Sequence, residues 1–338
     1  MMPLKPGLQH SVVWSRLRAV WPAALMACGL WLFAPVAGQA STAQQTDPKV
    51  IFQILASELA LQQGEIGLAA STYLALAEQT QDPVVAERAT QLALVIRAPK
   101  QALAAARIWL AGKPQDANAQ ESVDVLSLLL GYEHDLTDRL LKRRQGLTTP
   151  QELEAFYERL SGLVMRASDP KKALAILTRV SEREPQHTRL LYAKAMLHEK
   201  LKEHGPAEAA LRLLVSRTPE DADALNALGY SLADQNRQLP EALTLLEKAH
   251  RLKPEDGHIL DSMGWVYYRL GHLDKARDFL QKAFMRMPDA EVAAHLGEVL
   301  WTSNQANEAL IIWRHGRAAN PQNPLLLETM RRFGVSIE

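Results

Sequence analysis

Five prolines set a ruler along this chain. Pro185, Pro219, Pro254, Pro288 and Pro321 stand 34, 35, 34 and 33 residues apart. A period in that range marks one supersecondary unit that cannot close a core alone and is stacked on copies of itself. Side chains repeat in phase with the ruler. Twelve residues before the prolines stand Ala173, Ala207, Ala242, Ala276 and Ala309. Eight before stand Leu177, Leu211, Leu246, Leu280 and Trp313, and five before stand Val180, Leu214, Ala249, Ala283 and Gly316. The 338 residues include 49 alanines. At that frequency an alanine column five deep arises by chance about once in 500 chains, even with every register allowed.

A fourth column explains an otherwise costly choice. Ser161, Ala195, Gly229, Gly264 and Gly297 precede the alanines by a fixed interval, with one inserted residue between Gly229 and Ala242. In "DSMGWVYYRLG", residues 261–271, Gly264 falls inside a helical stretch, where it costs about 1 kcal/mol relative to alanine. The spacing predicts two helices per unit that cross too closely there for a larger side chain. Tyr267 and Leu260 share that helix face and fill the space beside it. Gly271 supplies a left-handed helix end, and Pro288 stops the second helix.

Residues 261–288, "DSMGWVYYRLGHLDKARDFLQKAFMRMP", closely resemble the tetratricopeptide repeat consensus. The units at about 222–321 resemble it strongly and those at about 154–219 fairly. The resemblance implies an all-α, right-handed α-solenoid of helix–turn–helix units. It also implies a scaffold that binds other proteins and is not an enzyme. The N-terminal half keeps an echo of the same unit. Pro114 has Ala102 twelve before it and Trp109 five before, and Gly64 with Ala69 repeat the glycine-then-alanine rhythm. The expected organisation is a signal peptide at 1–40, a linker at 41–49, degenerate repeats at 50–145 and the repeat array at 150–336. A joint is expected at "RRQGLTTP", 143–150, where Gly146, Thr148, Thr149 and Pro150 break helices.

Export is expected from the N-terminus. Residues 1–18 carry Lys5, Arg16 and Arg18, the stretch 19–37 is almost wholly apolar, and "GQAST" follows. This is the layout of a secretory signal cut before Ser41. Two alternatives stay open: lipidation at Cys28 within "LMAC", and an uncleaved anchor, since 19 apolar residues just span a bilayer. Membrane contact is expected only through this end, and the destination is the periplasm, with outer-membrane anchoring if the end is lipidated. Removing the segment takes away the only cysteine and leaves 35 basic against 38 acidic residues. Disulfides and cysteine chemistry are thereby excluded, and no basic stripe offers a nucleic-acid footprint.

Chemistry is scarce. "HEKLKEH", 198–204, sets His198 and His204 six apart, about 240° around a helix, where a zinc peptidase needs four. No phosphate loop, nucleophile elbow or dinucleotide fingerprint occurs, so neither metal nor cofactor is expected. Glu152 with Glu154 and Glu220 with Asp221 read as complements of helix dipoles. The remaining signal is the face of the first helix of each unit. Counted from the small residue, it holds Asp223, Asn226 and Tyr230, then His258, Asp261, Trp265, Tyr268 and Arg269, then Glu291, Glu298 and Trp301. Aromatics flanked by charges are the composition of a protein-binding hot spot. For Trp265 and Trp301, packing between neighbouring units stays open as an alternative. Asp261 and Arg269 are expected to face the groove, since burying them unpaired is costly.

A narrower likeness follows from "YLALAEQTQDPVVAERATQLAL", 73–94, with "AARIWLAGKP" after it. These stretches resemble exported proteobacterial repeat proteins, among them an outer-membrane lipoprotein that delivers cell-wall hydrolases to a carboxyl-terminal processing protease. The likeness implies an adaptor for a periplasmic protease and its substrates. A structural part of an envelope assembly or secretion complex is the alternative. Family members that clamp C-terminal carboxylates use lysines and asparagines, where this chain has Tyr192 and Met196.

Overall fold

The computed structural model describes residues 47–336, which form seventeen α-helices and no strand. The signal peptide and most of the linker expected from the sequence lie outside the described residues. The N-terminal helices are α1 (Pro48–Gln62), α2 (Ile66–Thr80), α3 (Pro83–Val95), α4 (Pro99–Gly112), α5 (Ala117–Leu130) and α6 (Glu133–Gln145). Next come α7 (Pro150–Met165), α8 (Pro170–Val180), α9 (Thr188–Lys200) and α10 (His204–Arg217). The rest are α11 (Ala222–Asp234), α12 (Leu239–Leu252), α13 (Gly257–Arg269), α14 (Leu273–Arg286), α15 (Ala290–Thr302), α16 (Ala306–Ala319) and α17 (Pro324–Arg332). Most pack chiefly on their chain neighbours, while α6, α7 and α17 pack most on the helix one further along, so the fold is an α-solenoid of helix pairs.

The columns of the sequence become the seams of this stack. All five column alanines are fully buried, as are Leu177, Leu211, Leu246, Leu280 and Trp313. A Cβ on Gly229 would stand 2.6 Å from Leu246 Cγ. On Gly264 it would come closer still to Leu280 Cγ, and on Gly297 it would enter the Trp313 indole. The glycines are therefore notches that admit the column side chain of the second helix. Ala195 is buried in the same role, whereas Ser161 is only half-buried, so the α7–α8 pair crosses more loosely.

Local chemistry fixes the helix ends. Thr218, Lys253, Met287 and Asn320 each precede a ruler proline and close the second helix with φ between −128° and −145°. The proline ring disfavours helical backbone at the preceding residue, which explains the shared stop. Lys113 before Pro114 adopts the same conformation, with φ −132°. Pro185 differs, since α8 already ends at Val180. The next first helices open on Asp221, Asp256, Asp289 and Asn323, each accepting backbone N–H bonds as an N-cap. Gly271 ends α13 with φ +82°, the left-handed stop that its position predicts. At 143–150 the helix breaks, and Thr149 with Glu152 forms a capping box that starts α7 at Pro150.

The side on which non-adjacent helices approach one another changes along the stack. In the N-terminal part second helices meet, α2 with α4 and α6 with α8. From α7 onward first helices meet: α7 with α9, α11 with α13, α13 with α15 and α15 with α17. The tighter side of a curved stack is its inner side, so in the C-terminal part the first helices line the concavity.

Candidate functional site

The expected face lies on α11, α13 and α15, where turns of successive first helices stand side by side. Their regular helical spacing brings the predicted residues together, but at very different depths. Asp223 and His258 are exposed, as is Glu291. Asp223 pairs with Lys253 Nζ at 2.7 Å. Asn226, Tyr230, Tyr268, Arg269 and Trp301 are half-buried.

Three predicted residues lie beneath this layer, which corrects the expectation that they face the groove. Trp265 is 5% exposed, and its indole stacks on His295 with centroids 4.2 Å apart. Of the two readings left open for it, packing between units is the one observed. Asp261 is 8% exposed and Glu298 is 2% exposed. The premise that an unpaired buried carboxylate is costly holds. Neither is unpaired, however. Both Asp261 oxygens lie 3.0 Å from His295 Nδ1. Glu298 accepts the Tyr268 hydroxyl at 3.0 Å and an ion pair from Arg332.

Arg269 is also spoken for. Its guanidinium lies 5.2 Å from the Trp265 ring centre and donates to the carbonyls of Ala233 and Asp234 at the end of α11. It thus satisfies helix C-terminal acceptors and covers an indole face at once. Trp301 stacks on Trp313 at 5.5 Å and leans on Phe333, closing the array against the end of α17.

His295 and Arg332 escape the sequence reading. His295 is one of ten scattered histidines and sits in the apolar run "AAHLG". The signal that marks it is its separation of 34 residues from Asp261, matched by the 34 between Glu298 and Arg332. Polar residues one period apart are spatial neighbours in a stack.

Charge on the face is mostly negative. Burial raises the Tyr230 pKa well above the phenol range, and the carboxylates of Asp234, Asp261, Glu291 and Glu199 add to it. Close packing of protein around Glu291, then Asp289 and Asp261, raises that carboxyl too. Both side chains keep surface in water while protein crowds them, which is the signature of a recessed surface. For His295, burial alone lowers the pKa, but Asp261 first, then Asp234 and Glu298, outweigh it, so the net shift is upward.

The tempting histidine pair is resolved. His198 Nδ1 pairs with Glu203 at 2.7 Å and His204 Nδ1 with Glu199 at 3.2 Å, across the turn between α9 and α10. Among the described residues no group of three His, Cys, Asp or Glu side chains stands close enough to hold a metal ion. No described helix is long and apolar enough to cross a membrane.

The sequence model of the tetratricopeptide repeat matches residues 164–229 and 235–295, and a second model of the same repeat matches 206–257. Residues 164–295 are tetratricopeptide repeats. Over 114 residues the chain is 51% identical to a TPR repeat-containing protein of Pseudomonas aeruginosa. That match covers 34% of this chain and spans only 19% of the relative's length. A tetratricopeptide repeat protein from Parabacteroides merdae shares the fold at a TM-score of 0.50, with 13% identity over 83% of this chain and 97% of that one. A thermophilic TPR protein of Thermus thermophilus, 26% identical, aligns over 54% of this chain and 97% of its own at a TM-score of 0.46. Proteins built of tetratricopeptide repeats typically bind other proteins.

Proposed function

We propose that this chain is an exported, non-enzymatic adaptor that holds partner proteins against the inner face of its C-terminal repeats. Its task is to bring clients to a periplasmic protease or cell-wall enzyme. The observation that carries the reading is the layering of the face. Half-exposed Tyr230 and Tyr268 and exposed His258 and Glu291 stand over Trp265, Asp261, His295 and Glu298, whose pairings leave them little freedom. A rigid floor under amphipathic rings limits the entropy lost on binding. The N-terminal order of basic, apolar and small residues supports export to the periplasm, with Cys28 as the alternative lipid site.

The test is affinity capture from an envelope fraction. His258→Glu with Glu291→Lys changes exposed charges only, so the array keeps its fold. Specific envelope proteins recovered by the parent chain are expected to fall at least tenfold with the double variant. An unchanged set of recovered proteins, with unchanged helical circular dichroism, would remove the face from consideration. N-terminal sequencing of the processed protein is expected to begin at Ser41.

A further inference from the structure

Charge of one sign gathers around the Tyr230 hydroxyl. Tyr230 stands on α11 with Asn226 one turn before it and Asp234 one turn after. From α15, His295 brings its ring centre 6.1 Å from that of Tyr230, and Glu291 stands one turn before His295. The carboxylates of Glu199, Asp234, Asp261 and Glu291, one each from α9, α11, α13 and α15, all act on the phenol. No single repeat contains this arrangement; stacking four of them makes it.

The four carboxylates are not equally engaged. Asp261 is paired with His295, while Glu199 accepts from Ser231 and pairs with His204. Asp234 and Glu291 are both exposed and form no ion pair among the described residues. Arg269, beside the end of α11, gives its hydrogens to the carbonyls of Ala233 and Asp234 instead. His258 and His295 offset Glu291 only in part, since burial first, then Asp289 and Asp261, still raise its carboxyl.

Hydrogen-bonding atoms are also left over here. Asn226 Oδ1 is shut off from solvent and has no donor. His295 is 2% exposed, and its Nε2 has no partner either. Its Nδ1 faces both oxygens of Asp261 and so carries the ring proton, which leaves the neutral ring a lone pair at Nε2. Trp265 Nε1, in the same layer, is an idle donor. Buried polar atoms are nearly always satisfied, so this group calls for a guest with donors and a carbonyl.

We propose that the guest of this face is a cationic peptide segment, whose arginine or lysine side chain ends at the Tyr230 hydroxyl in the field of Asp234 and Glu291. The inference rests on the reading that the inner face receives partners, and adds what such a partner carries. An arginine or lysine supplies donors where Asn226 and His295 lack them, with a charge opposite to the carboxylates. Its apolar stem and cationic head suit the rings of Tyr230 and Tyr268. The peptide backbone brings the carbonyl that Trp265 lacks. An acidic segment meets like charge from four helices and is refused.

The probe is a phage-displayed library of random dodecapeptides, selected on the full chain as purified from cells. The selected peptides are expected to be rich in arginine and lysine, and a labelled synthetic copy of one is followed by fluorescence anisotropy. Asp234→Asn with Glu291→Gln should raise its Kd roughly tenfold or more. Glu65→Gln with Glu78→Gln removes the same charge from exposed sites in the N-terminal part and should change Kd by less than about twofold. Replacing the peptide's cations by glutamate should abolish binding. Selection of acidic or uncharged peptides, selection of none, or equal binding by the Asp234→Asn, Glu291→Gln variant overturns the inference. Envelope proteins captured by the parent and lost from the His258→Glu, Glu291→Lys variant would then still uphold the inner face, so the two readings fail separately.

Discussion

Gly264 and Gly162 look alike in sequence, one glycine within a helix each, yet substitution by alanine should move them in opposite directions. A Cβ on Gly264 meets Leu280 and the Ala276 carbonyl, so Gly264→Ala is expected to cost about 1–3 kcal/mol by overpacking. Nothing lies within 4 Å of a Cβ on Gly162, so Gly162→Ala should stabilise by about 0.5–1 kcal/mol through helix propensity and the stiffer unfolded chain. Urea denaturation of the two variants checks both signs. Equal effects would contradict the notch. Gly264 was legible in the sequence because its whole column is small. The depth of Asp261 was not. A carboxylate on a helix face is exposed or buried according to what stands opposite, and the buried partner comes from the next unit.

Helices in this stack are held at their ends by short-range chemistry and across their faces by pairs one repeat apart. Thr149→Ala removes the hydroxyl that accepts the Glu152 N–H at the start of α7 and should cost about 1 kcal/mol. Loss of thermal stability in that variant, with Thr148→Ala nearly neutral, checks the capping box. The α13–α15 pair carries a pH dependence. The folded His295 pKa lies above its ordinary 6.5, so the imidazolium is favoured in the fold. Its contribution is fully present below the unfolded value and is lost as pH rises through the folded one. The groups facing it are Asp261, Asp234, Glu298 and Glu291. The difference in melting temperature between the parent and His295→Gln should therefore be largest near pH 6 and shrink towards pH 9. A difference that grows with pH would invert the assignment. Such element-level pairs are readable from sequence only once the period is known, since only then do residues 34 apart become neighbours.

Across the whole molecule, the same helix–turn–helix unit produces two kinds of surface. From α7 onward the first helices line the inner side, which recesses Tyr230 and crowds Glu291. In the N-terminal part the second helices meet. By itself the sequence determined the unit: its length, its two helices, where they start and stop, and the notch at which they cross. Those properties arise from contacts within about 34 residues, and side-chain size, proline and capping residues encode them directly. Tertiary structure decided which polar residues are sealed in and which stay in water, and on which side the stack bends. Those outcomes depend on contacts between units, where small differences in packing angle add up from one repeat to the next.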